Sequence, residues 1–362
     1  MTASRKTVIT VLGAGAMGSA MATPLRKRGQ TVRLWGTWLD DHLLDAIEAN
    51  VPHPRTNVLV PSGTELFRSH DLEAALSGAD IVILSVASVG VEEVVRRAAP
   101  WIAEIGTLVV TSKGFVFGAD GRVLLLPECI TAIFTELGLA PPTIIAAGGP
   151  CKANEVAAGR PTATIYGSVD TEAVRAVVRE IETDDYRIEI TPDVHGLEVA
   201  APFKNIYAIA LGFADGLAEL TPEPWHNLKS AIFSQALREM ADVAVQLGGR
   251  AETVYGLAGS GDLEVTGLSG RNKVYGARVG AGQSAGAALA AMIELEQTVE
   301  GIPAVKFAVA LAAQLYADGP TRLPLLHAIE KITAGSLTGL EDLKLAVLPA
   351  AVGYPVLEHV ES

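Results

Sequence analysis

Residues 7–12 form an almost unbroken apolar run, the pattern of a strand buried on both faces. Glycines follow, then an Ala-, Met- and Leu-rich stretch to about Arg28 that predicts a helix. Gly29 stops that helix, and residues 31–35 supply a second strand. Strand, turn, helix and strand in this order build a parallel sheet. The alternation continues with a strand at 80–86, a helix at 91–99 and a strand at 107–112. Further strands are predicted at 143–147, 162–167 and 186–191, separated by helices near 124–137 and 171–181.

After Pro192 the texture changes. Residues 194–220 and 228–247 are long helical patterns, 285–292, 304–315 and 323–332 add more, and strand signals nearly vanish. The reading is therefore an α/β domain over residues 1–192 and a mostly α-helical domain over 193–362, with the boundary near 190–196. The last twenty residues, 343–362, read as an apolar tail packed on the helical domain.

A chain of 362 residues is long enough for two domains, and a hydrophobic fraction of 49% fills their cores. The balance of 28 basic against 41 acidic residues gives a net charge of −13, which argues against nucleic acid or an anionic membrane surface as partner. An anionic small molecule stays open, because a few local cations decide that. Cys129 and Cys151 are too few for a disulfide framework and suit a reducing cytoplasm. The start of the chain, with Arg5 and Lys6 before a short glycine-broken strand, is too brief for a secretory signal or a membrane span.

Directly after the first strand stands Gly13-Ala14-Gly15-Ala16-Met17-Gly18. Gly13 permits a tight turn, Gly15 leaves room for a pyrophosphate, and Gly18 allows close helix–strand packing, with the helix N-terminus toward the phosphates. Placed between a strand and a helix, this motif makes the first domain a Rossmann-type dinucleotide binder. Trp35 ends the second strand, where the adenosine ribose is met. An acid there favours NAD and a base NADP, but Gly36 and Thr37 follow, and no acid comes before Asp40 and Asp41. The reading inclines to NAD and leaves NADP open.

Later strand ends carry polar groups to the same sheet edge. Ser88 follows one strand and should skirt the nicotinamide half; Lys113 follows the next, either as a ligand or as an exposed loop lysine. Lys204 and Asn205 lie inside a long apolar helix, where a lysine either snorkels or sits desolvated in a cleft with a pKa lowered toward acid–base use. The stretch from Gly256 to Asp262 runs on to Thr266, Arg271 and Asn272. Asp262 could orient a lysine, and Arg271 with Asn272 could hold an anion. The competing reading is an interhelical loop with a surface arginine. No metal-binding cluster is expected.

With these features in order, the chain resembles the soluble NAD(P)-dependent glycerol-3-phosphate dehydrogenase family from about residue 7 to 316. The likeness rests on the glycine loop, Ser112-Lys113-Gly114, Phe203-Lys204-Asn205, the stretch ending at Asp262, Arg271-Asn272 and Val299-Glu300-Gly301. It implies hydride transfer between the nicotinamide and C2 of dihydroxyacetone phosphate or glycerol 3-phosphate, in a homodimer. By that likeness Lys204 is the acid–base group, with Lys113 and Asp262 completing its surroundings. Asn205 and Thr266 line the substrate site, and Arg271 and Asn272 grip the phosphate. Glu300 lies toward the cofactor ribose, and Lys113 and Arg271 also reach the cofactor side.

The chain departs from that pattern at several places. After Gly149-Pro150 it has Cys151-Lys152-Ala153 where the family has Ser, an aromatic and Ala, so Lys152 becomes a further substrate-binding candidate. Pro222 and Pro224 alter the connection before a helix, and Gly270 stands where a serine is customary. These differences keep open a dehydrogenase of another ketose or polyol phosphate, such as a four-carbon one. A non-catalytic dinucleotide sensor is the alternative of a different class, disfavoured by the presence of both lysines and Asp262.

Overall fold

The structure, a computed structural model, describes residues 6–221, 223–295 and 297–349. Arg5, Pro222 and residues 350–362 of the expected tail lie outside the described residues. The first half carries strands β1 (Val8–Leu12), β2 (Thr31–Trp35), β3 (Glu65–Phe67), β4 (Ile81–Leu84), β5 (Thr107–Val110), β6 (Phe115–Phe117), β7 (Val123–Leu125), β8 (Thr143–Gly148), β9 (Thr162–Gly167) and β10 (Tyr186–Thr191). Between them run helices α1 (Ala16–Arg28), α2 (Asp41–Glu48), α3 (Leu72–Leu76), α4 (Ser88–Ile105), α5 (Leu126–Glu136), α6 (Ala153–Ala157) and α7 (Thr171–Ile181).

Eight strands form one sheet in the order β10-β9-β8-β5-β4-β1-β2-β3, and β6 and β7 pair apart from it as an antiparallel hairpin. Alternation along β1 and β4 sends Ile9, Val11, Ile81 and Ile83 into the layer beneath α1 and α7. Leu12, Val82 and Leu84 enter the opposite layer, beneath α4 and α5. Burial on both faces is why these strands read as continuous apolar runs. The sheet is parallel except where β8 meets β9 in antiparallel register. There the strand–helix alternation misleads. The connecting α6 has five residues, about 7.5 Å of helix, and cannot run back along a six-residue strand of about 20 Å.

The second half begins at α8 (Val194–Leu217), whose first turn is capped by Asp193 accepting from the Gly196 N–H at 2.9 Å. It continues with α9 (His226–Gln246), α10 (Ala251–Tyr255), α11 (Asp262–Ser269), α12 (Arg271–Gly280), α13 (Ala285–Glu294), α14 (Gly301–Leu315), α15 (Gly319–Arg322), α16 (Pro324–Thr333) and α17 (Gly339–Val347). Among the described residues no strand follows β10. Residues 343–347, read as the start of a tail, belong to α17, with Leu343 in the helical core.

Helix α8 is buried almost all round, as a central core helix must be. It crosses α12 backbone to backbone: a Cβ at Gly276 would lie 2.0 Å from the Ile209 carbonyl oxygen, and one at Gly212 2.0 Å from that of Lys273. This contact fixes the start of α12 against the middle of α8. The glycine-rich stretch from Gly256 is mostly helical, with a π-type turn at Leu257–Gly261 leading into α11.

Candidate active site

The glycine loop joins β1 to α1. Gly13 adopts a positive φ of 111°, and a Cβ there would lie 2.6 Å from the Ser85 carbonyl oxygen. Its N–H donates to the Trp35 carbonyl at 2.8 Å. Gly18 meets the loop itself, whereas a Cβ at Gly15 would find only the Arg55 guanidinium, 3.4 Å away. No side chain caps α1, whose first turn begins with Ala16 and Met17 and leaves its N–H groups open to an anion. These residues fit a dinucleotide. Trp35 contributes through its backbone alone, because its indole is fully buried in the core. Ser88 opens α4 and packs against Gly114, next to Lys113.

Lys113 leaves β5 and crosses to the helical half, where its Nζ donates to one Asp262 oxygen at 2.6 Å. Lys204, in the middle of α8, donates to the other. Asp262 is 1% exposed, so one carboxylate holds two nearly buried ammonium groups. The π-type turn brings it there: a Cβ at Gly259 would lie 2.2 Å from the Val254 carbonyl oxygen, a closeness only glycine allows.

The two lysines part company electrostatically. Burial opposes charge on Lys113, but the Asp262 carboxylate outweighs it and holds that pKa above the ordinary lysine value. Burial, only partly offset by Asp262 and reinforced by the neighbouring Lys113 charge, lowers Lys204 to about 8. Lys204 is therefore the readier proton donor of the pair.

A second polar chain begins one residue on. Asn205 accepts from the Asn272 side-chain amide at 3.0 Å, and Asn272 in turn accepts the Gly301 N–H at 2.8 Å. Glu300 accepts from Asn205 at 3.4 Å and pairs with half-exposed Arg271 at 3.1 Å. Thr266 donates to the Asp262 backbone carbonyl at 2.6 Å, one turn from the carboxylate. Lys152 is not with the buried pair; it stands outward, its Nζ donating to Ser269 at 2.8 Å.

Residues 8–174 match the family model of the NAD-dependent glycerol-3-phosphate dehydrogenase N-terminus, and residues 193–341 that of the C-terminus. The chain belongs to this family. The NADP(+)-dependent glycerol-3-phosphate dehydrogenase of Archaeoglobus fulgidus is 35% identical over 315 residues, 86% of this chain and 91% of its own. A glycerol-3-phosphate dehydrogenase (NAD(P)+) of Prosthecochloris aestuarii is 33% identical over 316 residues, 86% and 90% of the two chains. The solved glycerol-3-phosphate dehydrogenase of Coxiella burnetii matches with a TM-score of 0.79 at 30% identity, covering 94% of this chain and 98% of that one.

This member of the glycerol-3-phosphate dehydrogenase family has site residues that sequence reading missed. Glu198 is 2% exposed on α8, and its carboxyl makes no hydrogen bond or ion pair among the described residues. Burial pushes its carboxyl up to about 8 although Lys113 pulls the other way. An acid set among Leu197, Val199, Ala200 and Ala201 was the available signal. Asp40 is 7% exposed and accepts from the N–H of Ala14 and from both the N–H and the hydroxyl of Thr37. His53 is buried against the Ala14 carbonyl at 3.0 Å and anchors the loop that presents Arg55 to Gly15. No periodicity marks that loop. Both cysteines are free.

Among the described residues no cluster of metal-ligating side chains occurs, and no helix is long and apolar enough to cross a membrane.

Proposed function

We propose that the chain interconverts dihydroxyacetone phosphate and glycerol 3-phosphate, with residues 1–192 holding the nucleotide and 193–362 the substrate. The observation that carries this reading is the pair of buried lysines on one carboxylate, one turn and one helix from Arg271 and Asn272. A nicotinamide held by the first half would supply the hydride to C2 in one direction and accept it in the other. Lys204 gives its proton to the C2 oxygen as the ketone is reduced, and its neutral amine removes that proton in the oxidation. Lys113 keeps its charge and stabilises the developing oxyanion, while Asp262 holds both ammonium groups in place.

Arg271 and Asn272 hold the phosphate at the start of α12, where the helix dipole favours an anion. Asn205, locked by Asn272, and Thr266 line the carbon chain. Glu300 orients Arg271 and Asn205 from the cofactor side. The reaction balances as ketose phosphate plus reduced nicotinamide plus one proton, giving the polyol phosphate and oxidised nicotinamide.

NADP is the cofactor this site favours, in place of the inclination to NAD. The reason lies at the end of β2. Asp40 is already engaged by Ala14 and Thr37 and offers no free carboxylate to ribose hydroxyls. Arg55 is exposed beside Gly15, with no hydrogen bond or ion pair on its guanidinium among the described residues, which suits a 2′-phosphate. The name of the Archaeoglobus relative agrees. The free cysteines are in keeping with a cytoplasmic protein. Exposed Leu268, Ile293 and Leu295 on the helical half offer apolar surface for a homodimer.

Steady-state rates with dihydroxyacetone phosphate and a four-carbon ketose phosphate, each with NADPH and NADH, test this reading. The three-carbon ketose and NADPH should be preferred, and Arg55→Ala should lower kcat/KM for NADPH about tenfold or more with little change for NADH. A preference for the longer ketose would move the substrate assignment to the four-carbon class.

A further inference from the structure

Charge around the phosphate end of the site is unevenly distributed. Arg271 is paired with Glu300, so that pair is neutral. Lys113 and Lys204 share Asp262 and sit deeper. A phosphate monoester carries about −1.5 to −2 charges at neutral pH, more than the Arg271–Glu300 pair balances. Beside that end, Lys152 is a cation with no carboxylate partner among the described residues. The one hydrogen bond of its ammonium among the described residues goes to the neutral hydroxyl of Ser269 at 2.8 Å.

Lys152 is carried to that spot by a shaped segment. Gly149 adopts a φ of 90°, and Pro150 packs on the turn before Asp262, 3.4 Å from where a Gly261 Cβ would lie. Ser269 ends α11, Gly270 is extended, and Arg271 opens the ten-residue α12, which no side chain caps. The ammonium thus comes from the nucleotide half and stands two residues before the proposed phosphate-gripping arginine of the substrate half.

Resting on the reaction proposed above, we infer that Lys152 is a specificity-determining cation that leaves Ser269 to bind the substrate phosphate together with Arg271. Two consequences follow from the chemistry. The enzyme discriminates a phosphorylated triose from its unphosphorylated counterpart partly through Lys152. Phosphate binding also draws the segment 149–152 toward α12, because one anion then bridges both halves of the chain.

The test compares wild type, Lys152→Met and Lys152→Arg with dihydroxyacetone phosphate and with dihydroxyacetone, and measures competitive inhibition by inorganic phosphate. In Lys152→Met the ratio of kcat/KM for the phosphorylated to the unphosphorylated substrate should fall about tenfold or more. The inhibition constant for inorganic phosphate should rise by a similar factor, and Lys152→Arg should restore most of both. An unchanged ratio overturns the inference. So does an equal loss on both substrates, which would make Lys152 a tie between the halves and nothing more. If the wild-type enzyme does not reduce dihydroxyacetone phosphate at all, the proposed reaction fails. Direct binding of inorganic phosphate to wild type and Lys152→Met would then still judge Lys152.

Discussion

A single buried carboxylate facing two ammonium groups cannot satisfy both equally, and the site turns on that inequality. Asp262 keeps Lys113 charged, while Lys204 is left with a pKa of about 8. Glu198 belongs to the same electrostatics. With its carboxyl at about 8 it is protonated at neutral pH and adds no charge beside Lys113. Glu198→Gln should therefore match wild type at neutral pH and diverge above about 8, where the wild-type carboxylate ionises and the amide does not. A pH–rate comparison of the two proteins checks this; a large loss at neutral pH would mean that the carboxylate is ionised there. At this scale the sequence was informative about type and silent about environment. Lys113, Lys204 and Asp262 stood out by position and by family likeness. Nothing in one dimension says that Asp40 is engaged by its own loop, or that Arg55, twenty residues beyond β2, returns to Gly15.

Elements place those residues. The approach of α8 and α12 at Gly212 and Gly276 sets the distance between Lys204–Asn205 and Arg271–Asn272. Gly276→Ala would push a Cβ to within 2.0 Å of the Ile209 carbonyl oxygen. The expected destabilisation is about 1–3 kcal/mol, with a raised KM for the phosphorylated substrate as Asn272 and Arg271 shift. Chemical denaturation and steady-state kinetics on the same variant would show whether the two effects arrive together; wild-type stability would contradict the packing argument. Helices α8 and α9 were legible from their length, and β1 and β4 from continuous apolar runs bounded by turn residues. The hairpin β6–β7, the three-residue β3 and the short α10 were not, since three to five residues do not establish a period. Gly259 and Gly267 let helical segments approach one another, against Val254 and Leu211, and Asp262 and Thr266 lie between them.

At the scale of the whole molecule, the α/β half and the helical half are joined by side chains that cross from one to the other. Lys113 reaches Asp262, and Lys152 reaches Ser269. The division into an α/β half and a helical half was readable from the change in pattern after Pro192, whereas these crossings depend on how the halves pack and needed the structure. The central claim is that Lys204 is the group that gives and takes the proton at C2, and the pH dependence of turnover in both directions addresses it. Ketone reduction needs the ammonium, so its rate should hold at neutral pH and fall as pH rises through about 8. Oxidation of the polyol phosphate needs the free amine, so its rate should rise over the same interval. Lys204→Ala should lower both by roughly 10²–10⁴-fold and abolish this dependence. Turnover that keeps its rate and its pH profile in Lys204→Ala would contradict the account.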